Sequence, residues 1–559
     1  VTSTTKLLKQ AAELHQRGAL ADAMARCQQV LRGDPNHVDA LVLTGMLLAQ
    51  QGQFPTALQI AGRVVALAPQ HPGAHHLAGI ALRDGGQPPQ AVAAFDRAVE
   101  LARDDATIRF NRALTLVKLK RNDDALADFD KAIATQPALQ EAWYHRGTLH
   151  FTLGRHQDAL RDLDKALTLR PDHIASHVNR SSVLIALDRL ADAERGLDRI
   201  IAAAPHIADL YTDRAYARHL QSHFDEAFAD TAKALELAPA DPDVLHHVSM
   251  IELAHGRFTE GWPRFEARLR RPGLSLGFTL GDWPMWKGEA LGDTMLLLIG
   301  EQGFGDCIQF SAYIPELAAR GFKVGVLVNQ SLAPLLATVP GVAAVFADGA
   351  AVTKAGPFRA LPIMSLPAML GTTLETVPKA VPFLCATPDT VAMYRDRLGP
   401  DGFKIGIAWQ GSPTFRFDRT RSIPLDRFAP LADIPGVRLI SLQKRPGAEQ
   451  IDSVSFKDCI ETPLDANDLG PTALTDTAAL MMNCDLIVSS CTMAAHLAGA
   501  LGRPLHVALR RVPDWRWLIA REDSPWYPTA KLFRQTQDGD WAGVFDKIAA
   551  AVREKIGNA

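Results

Sequence analysis

The chain has 559 residues, with 59 lysines and arginines against 62 aspartates and glutamates, for a formal net charge of −3. That length accommodates two or three domains with sizeable cores, and the near-neutral balance excludes the global basic field that nucleic-acid binding needs. No apolar run approaches the roughly 18 residues of a membrane span, the opening VTSTTKLLKQ lacks an apolar signal core, and the six cysteines (Cys27, Cys307, Cys385, Cys459, Cys484, Cys491) have neither paired metal spacing nor framework density, so a cytoplasmic protein with reduced thiols is expected.

Proline recurs on a 34-residue beat at Pro35, Pro69, Pro137, Pro171, Pro205 and Pro239, with one beat skipped at Arg103. Twelve residues before each beat sits a small residue: Ala23, Ala57, Ala91, Ala125, Ala159, Ala193, Ala227 and, in a partial eighth unit, Gly261. A second small column reads Ala11, Gly45, Gly79, Ala113, Gly147, Ser181, Ala215 and Ser249. A 34-residue period predicts a stacked helix–turn–helix array. The small columns mark where two helices of a unit cross closely, and each proline ends a second helix because it cannot continue the hydrogen-bond ladder. The pattern resembles the tetratricopeptide repeat over roughly residues 4–275, about seven and a half units. That resemblance implies a groove that holds a protein.

Two residues before the second small column stand Asn111, His145, Asn179 and Asp213, each followed by an arginine (Arg112, Arg146, Arg180, Arg214). In such repeats this polar position faces the groove, where side-chain amides can bond the backbone of an extended peptide of any sequence. Solvated or locally capped polar residues would read the same way.

The period dies after Phe265. The segment RRPGLSLGFTLGDWPMWKGEALGD (270–293) has no helical stripe, and 276–293 reads as a junction whose Trp283, Pro284 and Trp286 pack down. Strand–loop–helix alternation follows. TMLLLIG (294–300) enters the turn EQGFGD (301–306), a helix is expected over 307–321, a strand over 323–329, a helix over 331–342 and a strand over 343–347. A second set opens at FKIGIAW (403–409) and continues through VRLISLQ (437–443), a helix at 475–483, CDLIVSS (484–490), a helix at 491–502 and PLHVALR (504–510). Such alternation predicts parallel sheets covered by helices. The halves are taken as 294–390 and 400–540, with a last helix, in 541–559, long enough to pack back across them. Two Rossmann-like domains over a cleft describe the GT-B glycosyltransferase architecture, and ligands of such sheets bind at the carboxyl ends of strands. The fold class expected is an α solenoid followed by an α/β GT-B fold.

Three segments carry candidate chemistry. In GEQGFGD, Gly303 and Gly305 let backbone N–H groups approach a ligand, and Asp306 is either a helix-capping carboxylate or a general base for an acceptor hydroxyl. In VSSCTMAAHLAGALGRP (488–504), Ser490, Cys491 and Thr492 sit where a strand meets a helix start and would offer N–H groups to a phosphate. His496, one turn on, is a buried packing histidine or a catalytic one. In QGSPTFRFDRTRSIPL (410–425), Arg416, Arg419 and Arg421 could neutralise a leaving phosphate, as could Lys444, or belong to an ordinary surface loop.

GFGDCIQF together with DTAALMMNCDLIVSSCTMAAHLAGALGRP resembles the heptosyltransferase-like glycosyltransferases of family nine. The resemblance implies that Gly305–Asp306 is that family's Gly-Asp pair, with the aspartate as base. It implies that Arg421 steadies the donor phosphates, where the family has lysine, and that Thr492 and His496 mark the donor site. Cys491 stands where that family has aspartate. The whole layout, repeats first and transferase second, resembles bacterial repeat-containing protein glycosyltransferases, including the flagellin type, and is that of O-GlcNAc transferase. It implies a protein acceptor such as flagellin and a nucleotide-sugar donor (a CMP-nonulosonic acid in the flagellin type) as substrate, with no cofactor; no Asp-x-Asp motif stands at a strand end of the transferase half, so no donor-bound metal is expected.

The leading reading is an inverting, metal-independent protein O-glycosyltransferase whose groove leads to its cleft, with no nucleic-acid or membrane partner and with homo-oligomers allowed. A glycan or lipopolysaccharide transferase, with repeats serving assembly, and a catalytically decayed repeat scaffold are the alternatives.

Overall fold

The computed structural model describes residues 3–271, 283–413, 418–468 and 470–557. Among the described residues, sixteen helices come first: α1 Ser3–Gln16, α2 Leu20–Gly33, α3 Val38–Gln50, α4 Phe54–Leu67, α5 Pro72–Asp84, α6 Pro88–Leu101, α7 Ala106–Lys118, α8 Asn122–Thr135, α9 Gln140–Thr152, α10 His156–Leu169, α11 Ile174–Ala186, α12 Leu190–Ala203, α13 Ala208–Leu220, α14 Phe224–Leu237, α15 Pro242–Ala254 and α16 Phe258–Phe265. They pair as antiparallel hairpins, and every proline of the 34-residue beat falls two residues beyond the second helix of its pair. Both small columns are buried where the helices cross. A Cβ added at Gly45 would lie 2.2 Å from Leu77 and one at Gly79 2.6 Å from the Phe95 ring, so glycine is required at both.

A further periodic device lies between hairpins. Arg112, Arg146 and Arg214 each grip a buried aspartate sixteen residues on with two N–H groups: Nε and Nη2 reach Asp128 at 2.6 and 2.7 Å, Asp162 at 2.7 and 2.7 Å, and Asp230 at 2.9 and 2.7 Å. Their Nη1 groups bond the aspartate sixteen residues earlier, Asp96, Asp130 and Asp198. In the repeat whose column carries Gly196, Arg180 bonds Asp164 at 2.5 Å and has glycine in place of the aspartate ahead of it.

The chain divides into two compact units, Val1–Gly196 and Leu197–Ala559. The second holds α13–α16 together with an α/β region. Its strands are β1 Met295–Ile299, β2 Val324–Leu327, β3 Val342–Phe346, β4 Phe358–Pro362, β5 Phe403–Ala408, β6 Val437–Ser441, β7 Ile460–Glu461, β8 Leu486–Ser490, β9 Leu505–Leu509 and β10 Ala530–Arg534. They form a four-stranded sheet ordered β3-β2-β1-β4 and a six-stranded sheet ordered β10-β9-β8-β5-β6-β7. All these strand pairs are parallel. The strands β1, β2, β5 and β8 are near-continuous apolar runs because both sheet faces are covered.

The expected helix over 307–321 is two helices, α17 Phe304–Ser311 and Ile314–Ala319. Pro315 lacks the N–H a continuous ladder would need, and sits instead in the first turn of the second piece. The junction does pack down where it is described. Residues 272–282 lie outside the described residues, but Trp286 bonds the Ala360 carbonyl and its ring meets Phe322 at 5.4 Å, while Trp283 meets Phe358 at 5.1 Å. The last helix, Trp541–Gly557, packs on the six-stranded sheet itself, its Phe545 ring 4.3 Å from that of Phe428, rather than across the halves.

Phe258, Trp262 and Phe265 of α16 belong to the same core as the α/β region, with Trp262 5.3 Å from Trp515 and 6.1 Å from Phe310. The 3-10 turn after α16, Glu266–Arg270, adds a buried ion pair. Arg268 is held by Glu301 at 2.7 and 3.0 Å and by Ser365 at 2.8 Å, while Glu301 also accepts the Met364 N–H. No helix among the described residues is long and apolar enough to cross a membrane.

Candidate active site

The first sheet delivers Asp306. Chain leaving β1 passes Gly300, where a Cβ would meet Val328 at 2.9 Å and Cys307 at 3.0 Å, and then Glu301, whose carboxylate is clamped by Arg268. Gln302 adopts a left-handed φ of 59°, a strained setting for a non-glycine residue that its pinned neighbours impose. Gly303 stands at the N-cap of α17, and Asp306 Oδ2 accepts the Gly303 N–H at 2.9 Å, the carboxylate half of a capping box. Asp306 Oδ1 is held by Arg516, which also donates to Asp514 at 2.8 Å and lies 4.2 Å over the Trp515 ring. Burial opposes the charge on Arg516, but Asp306 and Asp514 more than offset it and raise its pKa.

Asp306 and His496 meet through Gly305. A Cβ there would fall 2.8 Å from His496 Cδ2, so this glycine admits the helix Met493–Ala500 against α17. His496 is buried, stacks on Trp517 at 5.4 Å and shares a hydrogen bond with the Tyr527 hydroxyl at 3.0 Å. Burial, reinforced by Arg516, pushes its pKa down to about 3 and keeps the imidazole neutral. Cys491 accepts the Trp517 indole N–H at 3.1 Å, and burial with the nearby Asp514 pushes its thiol up to about 11, so it carries no charge. Ser490 is fully buried, and its hydroxyl has no hydrogen-bond partner among the described residues. Thr492 stands at the N-cap position of the helix Met493–Ala500, and its hydroxyl, instead of capping the helix, lies 3.3 Å from the Ser489 hydroxyl.

The loop after β5 delivers Arg421. Asp418 accepts Arg421 Nε at 3.0 Å and the Ser422 hydroxyl at 2.9 Å, and Ser422 in turn accepts the Gly411 N–H at 3.0 Å. Gln443, after β6, locks this end of the sheet by accepting the Trp409 and Gln410 N–H groups and donating to three carbonyls. Arg416 lies outside the described residues, as does the Arg419 side chain.

A partly open pocket lies at the carboxyl ends of β8 and β9, lined by Arg421, Cys491, Ala508, Leu509, Arg510, Val512, Pro513 and Asp514, and by Tyr216 and Leu220 of α13. Asp306 and His496 do not line it; Asp306 joins it through Arg516 and Asp514. Lys444 stands apart, with Nζ donating to the Asp465 carbonyl at 2.8 Å and burial lowering its pKa. Gly303 serves as an N-cap position and Gly305 as a packing position.

The polar column of the solenoid is engaged between repeats. Asn111 accepts from Arg83 at 2.8 Å and reaches His76 at 3.2 Å, and Asn179 donates to Thr148 at 3.0 Å and Tyr144 at 3.3 Å. His145 packs edge-on to Tyr144 at 4.9 Å, and burial lowers its pKa. Asp213 is half-buried on α13.

Sequence reasoning missed Arg516, Asp514, Asp418, Gln443 and Glu301. The run PDWRW (513–517) was the available signal for the first two, since an arginine between tryptophans is a composition suited to a buried cation.

Tetratricopeptide repeat profiles match residues 14–80, 76–139, 112–174 and 150–213. Protein FlbA of Caulobacter vibrioides is 30% identical over 385 residues, which span 63% of this chain and 62% of that protein, less than two thirds of its length. Among solved structures, the thermophilic repeat protein TTC0263 of Thermus thermophilus is 22% identical, covering 33% of this chain and 100% of its own at a TM-score of 0.30. YrrB, described as a repeat protein with an unusual peptide-binding site, is 23% identical over 31% of this chain and 96% of its own, at a TM-score of 0.25. The first part of the chain is a tetratricopeptide-repeat solenoid, and a parallel-sheet α/β region follows it.

Proposed function

We propose that the chain is a cytoplasmic protein O-glycosyltransferase of GT-B architecture, inverting and metal-independent, whose repeats hold a protein acceptor, flagellin being the one to test. The observation that carries this reading is the pocket at the carboxyl ends of β8 and β9, which Arg421 and Cys491 share with Tyr216 and Leu220 of the solenoid. A single recess between a repeat helix and a phosphate-suited sheet edge brings a held protein to an anionic donor.

The step needs a base, a leaving-group anchor and a dry environment. An acceptor Ser or Thr oxygen attacks the anomeric carbon of the nucleotide sugar, the bond to the donor phosphate breaks, and its electron pair departs with the nucleotide. The hydroxyl proton passes to the carboxylate of Asp306, whose Oδ1 is held by Arg516. Arg421, oriented by Asp418, neutralises the departing phosphate. His496, neutral and locked by Tyr527, orients α17 rather than carrying charge.

A repeat scaffold without transfer activity is the second reading, favoured by the uncharged Cys491 thiol at the strand end. Intact-mass spectrometry decides between the two. Flagellin co-expressed with this protein and a pathway for CMP-nonulosonic acid is expected to gain one or more sugar masses, and with Asp306→Asn to gain none. Unmodified flagellin in stable complex with the wild-type chain would favour the scaffold.

A further inference from the structure

The pocket has two kinds of wall. Arg421 and Arg510 bring positive charge to the lining, where the one carboxylate, Asp514, is paired with Arg516, while Tyr216, Leu220, Val512 and Pro513 supply an apolar component that includes a flat ring. A ligand matching both carries an anionic group at one end and a planar, weakly polar group at the other, the composition of a nucleoside phosphate. The ring comes from α13 of the solenoid, not from either sheet. Asp213, Tyr216 and Leu220 are spaced i, i+3 and i+7 and so share one face of α13. Asp213 of the polar column and the wall offered to a donor therefore lie on the same face of α13. Arg511 fixes the end of that helix, donating to the Leu220 carbonyl at 3.4 Å and to Asp538 at 2.9 Å, so the wall is held against the loop after β9.

We infer that Tyr216 is a specificity-determining residue of the nucleotide-donor site, stacking on the planar base while Arg421 takes the phosphate, so that the solenoid completes the donor pocket. The inference rests on the donor reading above. It makes the solenoid a part of small-molecule recognition as well as of protein capture.

The test is calorimetric titration of the full chain with CMP, CDP, UDP and GDP in turn, on wild type, Tyr216→Leu, Tyr216→Phe and Arg421→Met, each checked for native circular dichroism. Wild type is expected to bind at least one nucleotide. Tyr216→Leu, which keeps bulk but loses the ring, should weaken that binding about tenfold, the scale of base–aromatic stacking. Tyr216→Phe should stay near wild type and Arg421→Met should lose binding. Binding by Tyr216→Leu within twofold of wild type, with Arg421→Met still defective, would overturn the role of Tyr216 and leave the donor reading standing. No binding of any of the four by wild type would overturn both.

Discussion

Gly196 interrupts a series of buried arginine–aspartate pairs, and filling it should stabilise the solenoid. Its column reads Asp128, Asp162, Gly196, Asp230, and the other three carboxylates are only 4–6% exposed in their arginine forks. A Cβ built at Gly196 meets a single atom within 4 Å, Arg180 Nη1 at 3.5 Å, so Gly196→Asp enters open space beside its intended partner. Arg180 is already ordered by Asp164, which removes much of the entropy cost. Charge-assisted hydrogen bonds contribute about 1.5–3 kcal/mol before desolvation, and half-exposed pairs retain roughly 1 kcal/mol of it. Replacing a helical glycine by aspartate adds about 0.3 kcal/mol of propensity. The expected gain is about 1–2 kcal/mol, or roughly 2–8 °C in Tm for a unit of this size. Thermal unfolding followed by far-ultraviolet circular dichroism reads it. Because Gly196→Ala gains about 1 kcal/mol from propensity alone, the pair itself is measured by a double-mutant cycle with Arg180→Gln. A coupling energy below about 0.3 kcal/mol would refute the reasoning, since propensity would then account for the whole effect.

Two further outcomes follow from buried charge. His219 and His246 are held near 3 and His506 near 4, in each case chiefly by burial. Their folded pKa values lie below the unfolded value of about 6.5, so the unfolded chain binds more protons and stability falls as pH drops from about 6.5 toward 3–4. The Tm of the full chain should therefore fall between pH 7 and pH 5, with a shallower slope in His219→Gln; an unchanged slope would count against burial of a neutral imidazole there. Arg268→Met strands the Glu301 carboxylate, whose side chain is fully buried, and should cost about 3–5 kcal/mol. Urea unfolding followed by tryptophan fluorescence should show this loss, and adding Glu301→Gln should recover much of it. Equal loss in single and double variants would mean that packing, not charge, holds the site.

What the sequence made legible follows from periodicity. The 34-residue beat located helix ends to within two residues, because proline acts locally. Central strands such as β1, β5 and β8 were legible as apolar runs, because burial on both faces leaves no alternation to misread. The strands that escaped, β4, β7 and β10, all lie at sheet edges, where they are short or carry polar residues and proline. At the site, the Gly303–Asp306 turn was readable because capping is local. Its partner was not, since Arg516 lies 210 residues away and only the fold brings it to Asp306. The Tyr216 wall was hidden for the same reason: nothing in a repeat unit marks which of its faces meets a sheet edge.

The aromatic ring cluster around Trp262 and the Arg268 ion pair bear on how such a chain can vary. Helices α15 and α16 obey the repeat spacing, yet their side chains complete a core that the α/β region would otherwise leave open. A cut at the end of the period would tear that core, whereas a cut between earlier hairpins would sever only repeat-to-repeat contacts that the next unit can remake. Gain and loss of repeats among relatives should therefore be confined upstream of α13, with the last two hairpins inherited together with the sheets.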